Sequence, residues 1–389
     1  RNGELLVVRG AKVRDSQTAD VGRRALHCLR LSEANGWLAG ADGLLMHTQD
    51  AGQTWRRASP PELQSQQFDF YDAAMQEGEA WIVGSPGSIV FHTRDQGQSW
   101  RAFRTGQSLG LRAVTFVNTQ VGWAVGEFGL IMATTDGGQT WKEQRSGGKR
   151  AAMLGLFSQP STVPWELLAR YSGEEGYLTA IQVLGRRDGE SHEQGRSWLE
   201  RRLQAAVLNC GASESQLSAA FPLRQEGIEL SQQQLLAMWR QINDEDPLRV
   251  LEATMVQRIR KWRPEVVVAP NGASPMERLL AQITSSAVQQ AADPTAYSIQ
   301  LTAGGLQPWQ AKKVLLVNPS EDQRSLQAAQ LLVPSQLAAR WGASVGEVAG
   351  HGRAMISKAP VRSQAYQIKL VQSTVPQQGA VRDVFHGLT

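Results

Sequence analysis

"GWLAGADGLLMHTQDAGQTWRRA", residues 36–58, is followed by "AWIVGSPGSIVFHTRDQGQSWRAF", residues 80–103, and by "GWAVGEFGLIMATTDGGQTWKEQ", residues 122–144. The three stretches keep the same order of Trp, Gly, Asp and Trp, and their aspartates Asp50, Asp95 and Asp136 are spaced 45 and then 41 residues apart. A period of roughly 40 to 50 residues is that of a four-stranded propeller blade. In each copy a short apolar strand (Trp37–Ala39, Trp81–Val83, Trp123–Val125) ends in Gly, and a second strand leads into T-x-D-x-G-x-[ST]-W. That element closes locally. The Asp side chain accepts bonds from amides of its own turn, Gly supplies positive φ, and the final Trp (Trp55, Trp100, Trp141) anchors the hairpin.

These units resemble the Asp-box (BNR) repeats of sialidase-like propellers, and the third copy is most similar to the photosystem II assembly-factor branch. The resemblance implies a structural role for Asp50, Asp95 and Asp136, because Asp-box hairpins lie away from the ligand face. A sialidase reading would need an arginine triad and a Tyr nucleophile, which the sequence does not offer. Three blades are too few to close a ring, since closed propellers use about four to eight. The open flanks are therefore expected to be covered by further sequence or by a partner.

With 389 residues the chain has room for two cored domains. Its net charge of +4 is spread over both halves, without the basic concentration that nucleic acid requires. No apolar run approaches the roughly 18 residues of a membrane span, and no signal peptide opens the sequence. The first residue is Arg1 rather than Met, which reads as a processed or trimmed chain. Cys28 and Cys210 lack metal-type spacing and read as two unrelated buried thiols. They leave the redox compartment open, with a bacterial, extracytoplasmic setting favoured.

After Gly147-Gly148-Lys149-Arg150 the pattern alternates. Strands are expected at Met153–Phe157, Leu178–Leu184, Val266–Ala269, Val314–Val317 and Tyr366–Val371. Helices are expected from Glu193 to Asn209 with Gly211 as the stop, along the face Leu248, Leu251, Met255, Ile259 and Trp262, and from Pro275 to Ala292. Strand, helix, strand implies a mostly parallel sheet. "GASVGEVAG" from Gly342 reads as a glycine-rich connector. The fold expectation is thus multidomain: an all-β partial propeller of about three Asp-box blades (residues 1–148), a Rossmann-like three-layer α/β domain (149–372), and a linker or the start of a further segment (373–389).

The order "MLGLFSQPSTVPWELLARYSGEEGYLTAIQVLGRRDGES", "RRLQAAVLNCGA", "WRPEVVVAPNGASPMERLLAQITSSAVQQAADP" and "PWQAKKVLLV" is similar to the PIG-L/LmbE family of zinc-dependent N-acetylglucosamine-type deacetylases. In that family A-H-P-D-D-E follows the first strand and supplies two zinc ligands and the general base. Laid over this sequence it becomes Gln159-Pro160-Ser161-Thr162-Val163, so only the proline survives. The family's H-P-D-H falls on Ser274-Pro275-Met276-Glu277, where again the proline stays. A hydrolytic zinc needs three ligands drawn from His, Cys, Asp or Glu, and a base beside its water. Gln159, Ser161, Thr162 and Ser274 do not supply these, and Glu277 is one carboxylate. His192, His351 and His386 lie outside both turns and read as surface or loop histidines.

The expectation is a chain with no catalytic residue, no metal and no cofactor: a pseudo-deacetylase carrying propeller repeats, working as a structural or protein-interaction component of a larger assembly. Two alternatives stand beside it. One is a metal-dependent amino-sugar deacetylase with relocated ligands, for example Glu277 with His351. The other is a module that retains carbohydrate around Gln159, Ser161 and Asn271 without hydrolysing it.

Overall fold

The computed structural model describes residues 6–9, 12–15, 21, 24–60, 68–146, 150–187, 196–223, 230–241, 246–272, 274–302, 304–320, 331–357, 362–375 and 383–388. Among them no helix is long and apolar enough to cross a membrane. The chain divides into two compact units, residues 1–149 with 297–307, and residues 150–296 with 308–389.

The first unit opens with a hairpin, β1 (Leu6–Arg9) and β2 (Lys12–Asp15). Three four-stranded antiparallel sheets follow, each a simple meander. The first holds β3 (Leu26–Ser32), β4 (Asn35–Gly40), β5 (Leu45–Thr48) and β6 (Arg56–Arg57). The second holds β7 (Asp69–Gln76), β8 (Glu79–Ser85), β9 (Ile89–Thr93) and β10 (Arg101–Arg104). The third holds β11 (Leu111–Phe116), β12 (Gly122–Gly126), β13 (Ile131–Thr134) and β14 (Lys142–Arg145). Successive antiparallel sheets of this size are those of a partial propeller, as the repeat period requires. Sheet packs on sheet through apolar side chains of both: Cys28, Trp37, Ala39 and Leu45 of the first share one core with Phe70, Ala73, Ile82 and Phe91 of the second. Both cysteines are free and buried, and burial pushes the Cys28 thiol up to about 11, with Asp72 beside it adding to the rise.

The second unit is built on a seven-stranded sheet. Its strands are β15 (Met153–Phe157), β16 (Thr179–Arg187), β17 (Glu214–Leu223), β18 (Val266–Pro270), β19 (Lys313–Ser320), β20 (Leu331–Leu332) and β23 (Ala365–Ser373), in the order β17-β16-β15-β18-β19-β23-β20. The first five are parallel, and β23 runs antiparallel to both of its neighbours. The short pair β21 (Leu337–Ala338) and β22 (Ala343–Ser344) stands apart. The helices are α1 (Trp165–Leu167), α2 (Arg196–Asn209), α3 (Gln232–Arg240), α4 (Pro247–Trp262), α5 (Pro275–Ala292) and α7 (Val345–Ile356), while α6 (Ser298–Thr302) belongs to the first unit. The two-proline logic holds: Pro247 and Pro275 each occupy the first helical turn, where their missing N–H costs nothing.

Three expectations need revising. β17 lies outside the expected strands, because the consecutive polar residues Glu214, Ser215 and Gln216 break any alternation at its start; among the described residues it is an outer strand, paired with β16. The glycine-rich "connector" is α7: Ser344 and Glu347 form a reciprocal capping box, and Val345, Val348 and Ala349 are buried. Gly352 is there for clearance, since a Cβ on it would lie 2.4 Å from Cys210 Sγ. Within residues 373–389, Val384 and Phe385 join the α/β core, with Phe385 stacked on Tyr177 at 3.8 Å. The expected stop at Gly211 has φ +84, and a Cβ there would meet Gly173 Cα at 2.3 Å. Residues 193–195 of the expected second-domain helix lie outside the described residues.

Candidate functional site

The three Asp-box turns are nearly superimposable in their bonding. Asp50 Oδ1 accepts from the Thr54 amide at 2.8 Å and from the Thr48 hydroxyl at 2.8 Å, while its Oδ2 accepts from the Thr54 hydroxyl at 2.6 Å. Asp95 does the same with Ser99 and Thr93, and Asp136 with Thr140 and Thr134. The leading threonine oxygen then accepts from the amide of Gly52, Gly97 or Gly138 at 2.9, 2.8 and 3.0 Å. Those glycines hold φ values of +84, +88 and +88, which only glycine adopts without strain. Hydrogen bonds from Thr54 hold the Asp50 carboxyl down at about 2, and those from Ser99 lower Asp95. At Asp136 burial works upward and is outweighed by the bonds from Thr140 and Thr134. Every acidic oxygen here is turned into its own hairpin, as an architectural role requires.

Of the closing tryptophans, Trp55 and Trp141 are buried and Trp100 is half-buried. Trp100 and Trp141 donate their indole N–H to Gly97 and Gly138 carbonyls at 3.1 and 2.9 Å. The tryptophans that reach over to the following sheet are Trp37 and Trp81, on the second strands. Trp37 lies edge-on to Trp100 of the next sheet at 5.4 Å, and Trp81 stacks on Phe116 of the next at 3.8 Å. Their recurrence in "GWLAG", "AWIVG" and "GWAVG" is the sequence signal, and sequence reasoning used it only to mark strands.

In the second unit β15 sits between β16 and β18, and the chain winds outward from it in both directions. The turns leaving β15 and β18 therefore stand side by side at the switch point, where open parallel sheets bind ligands. They are the turns that carry the candidate residues. After β15, Ser158 is fully buried and its hydroxyl pairs with that of Thr162 at 3.1 Å. Thr162 Oγ1 donates to the Gln159 carbonyl at 2.9 Å and accepts from the Gln159 amide at 3.4 Å, which ties Gln159, Pro160, Ser161 and Thr162 into one 3₁₀ turn. Ser161 is exposed. After β18, Ser274 Oγ accepts from the Glu277 amide at 3.2 Å and Glu277 Oε2 accepts from the Ser274 amide at 3.4 Å, a capping box on α5. Glu277 also lies over Gly272, where a Cβ would come within 1.8 Å of its Oε2. Asn271 pairs with Asn318 on β19, its Nδ2 donating at 3.2 Å to the Asn318 amide oxygen.

This donor set does not fit zinc. It provides neutral oxygens and one carboxylate, which serves a helix cap, where three ligands from His, Cys, Asp or Glu are needed. Among the described residues no three such side chains are grouped to hold a metal ion. His351 is exposed on α7, one turn after Glu347; α7 packs on α1 and α2, whereas the α5 helix of Glu277 packs on α3, α4, β15, β18 and β19. His386 is half-buried, and His192 lies outside the described residues. Sequence reasoning also missed a buried ion pair: Glu166, in α1, accepts from Arg353 of α7 and from the Gln364 amide at 3.0 Å.

Residues 18–110 match the family described as Photosynthesis system II assembly factor YCF48. Among solved structures, the chain is similar to YCF48 bound to D1 peptide, at 28% identity over 33% of this chain and 44% of that one, with a TM-score of 0.30. It thus spans less than half of that relative's length. It is also similar to the conserved protein TT1542 of Thermus thermophilus (19% identity, 52% of this chain, 79% of that one, TM-score 0.34). A third is the N,N'-diacetylchitobiose deacetylase of Pyrococcus horikoshii (13% identity, 54% of this chain, 72% of that one, TM-score 0.33). No curated protein is significantly similar to the chain. Residues 18–110 of the first unit are thus similar to the photosystem II assembly factors, and one deacetylase is among the solved structures similar to the chain.

Proposed function

We propose that the chain is a non-catalytic structural or protein-interaction component of a larger assembly, in which the α/β unit keeps a deacetylase-like frame without its metal chemistry. The observation that carries this reading is the state of the two switch-point turns. Thr162, Ser274 and Glu277 are engaged in closing their own turns, so the groups nearest the expected reaction centre serve the backbone. Ser161 has no general base given to it by either turn, and a serine hydroxyl without one is a poor nucleophile at neutral pH. The assembly role described for the family matched by residues 18–110 supports the same direction, with a protein as the partner.

Elemental analysis of the purified full chain after exposure to zinc tests this. The expected result is far less than one zinc per chain. One zinc per chain that disappears on Glu277→Ala would overturn the reading and restore the deacetylase.

A further inference from the structure

The first two sheets of the first unit each offer the tryptophan of their second strand to the sheet that follows. At the first seam Trp37 fills the space over Gly97, where a Cβ would come within 2.7 Å of the ring. At the second, Trp81 stacks on Phe116 of β11 and donates its N–H to the Gly137 carbonyl at 2.8 Å. The third copy is Trp123. It is 38% exposed, where Trp37 and Trp81 are 2% and 0% exposed. Val125 and Val117 stand exposed with it, at 41% and 62%. A face that is a packed seam twice is open the third time.

The other end of the repeat carries the complementary defect. Strand pairing places Leu31 opposite Gly36 as it places Phe116 opposite Gly122, and Leu29 opposite Leu38 as Val114 opposite Ala124. Leu29 and Leu31 are therefore the first sheet's versions of Val114 and Phe116, the residues that receive the preceding sheet. Val114 and Phe116 are buried; Leu29 and Leu31 are about half exposed, at 49% and 51%. Exposed apolar groups gathered in this way mark an interaction surface.

We propose that a second copy of this chain covers both faces: the Trp123–Val125 face of one copy docks on the Leu29–Leu31 strand of the other, and the reciprocal contact closes the ring. The occupant is a second copy because this chain carries both halves of the seam and already builds that seam twice within itself. Three sheets from each of two copies give six, within the range of about four to eight for closed propellers. A head-to-tail contact that closes under a two-fold axis gives a finite ring instead of a fibre.

Sedimentation velocity of the full chain at micromolar concentration should give twice the chain mass. Trp123→Asp and Leu31→Asp should each weaken the dimer at least about tenfold with circular dichroism unchanged, because both side chains are solvent-facing in the single chain. Mixed together, the two variants should form a heterodimer through the one seam that stays intact, Trp123 of one meeting Leu31 of the other. A monomeric unmodified chain overturns the proposal and assigns the face to further blades of a longer polypeptide or to a foreign protein. A dimer that survives Leu31→Asp, or variants that do not pair on mixing, overturns the head-to-tail arrangement.

Discussion

The Asp-box turns of the first unit and the switch-point turns of the second are made from the same materials. Both use short hydroxyl and carboxylate side chains to satisfy amides within a few residues, and both release a strand into the next element. They differ in what the sequence could have expected of them. The Asp-box sequence encodes its own hairpin bonds, and its three copies keep them at nearly equal lengths. The turns after β15 and β18 lie at the switch point of the parallel sheet, and each carries a proline in its first turn, Pro160 and Pro275, while the surrounding side chains serve as caps. A 3₁₀ turn or a capping box needs only acceptors for its backbone amides, and the short polar side chains of both turns supply them.

The comparison breaks most visibly if the seam tryptophans are not the energetic centre of the first unit. Trp81 is fully buried between His92, stacked at 4.7 Å, and Phe116. Trp81→Ala should therefore cost about 3–5 kcal/mol in chemical denaturation of the full chain. A loss below about 1 kcal/mol would mean the sheets do not depend on one another through this residue.

A middle-sized effect tests the turns themselves. Asp136→Ala removes an acceptor for the Thr140 amide, comparable to losing a helix N-cap, and should cost roughly 1 kcal/mol. The pH dependence has a fixed sign. The folded pKa of Asp50, Asp95 and Asp136 is lowered, so their contribution is complete above the ordinary carboxylate value of about 4 and is lost as pH falls through the folded value. For Asp50 that value is about 2. Thermal denaturation between neutral pH and this acid window should show the first unit losing stability on acidification, with less of that loss in Asp136→Ala.

The smallest effect is expected at Glu277. Glutamine also completes a capping box, so Glu277→Gln should change stability by less than about 0.5 kcal/mol. A large loss would show the charge engaged in something other than the α5 cap.

The first unit was legible because repetition supplies its own control: Asp50, Asp95 and Asp136 confirm one another without any structure. Most α/β elements were legible too, since Met153–Phe157, Pro247–Trp262 and Pro275–Ala292 carry continuous apolar runs or helical periodicity bounded by proline. The polar start of β17 and the glycines of α7 hid both, because their reasons lie in neighbours distant in sequence: β16 for the strand, Cys210 and Trp165 for Gly352.

The sequence by itself determined the number and chemistry of the Asp-box turns and the residue types at the two switch-point turns, because hydrogen bonds spanning two to four residues are encoded where they form. Only the tertiary structure decided that Glu277 closes a helix cap, that residues 297–307 belong with the first unit, and that Trp37 and Trp81 are buried while Trp123 is not. Three tryptophans at equivalent positions of the repeat differ in whether another sheet packs over them, and burial of apolar surface depends on what arrives from elsewhere in the fold.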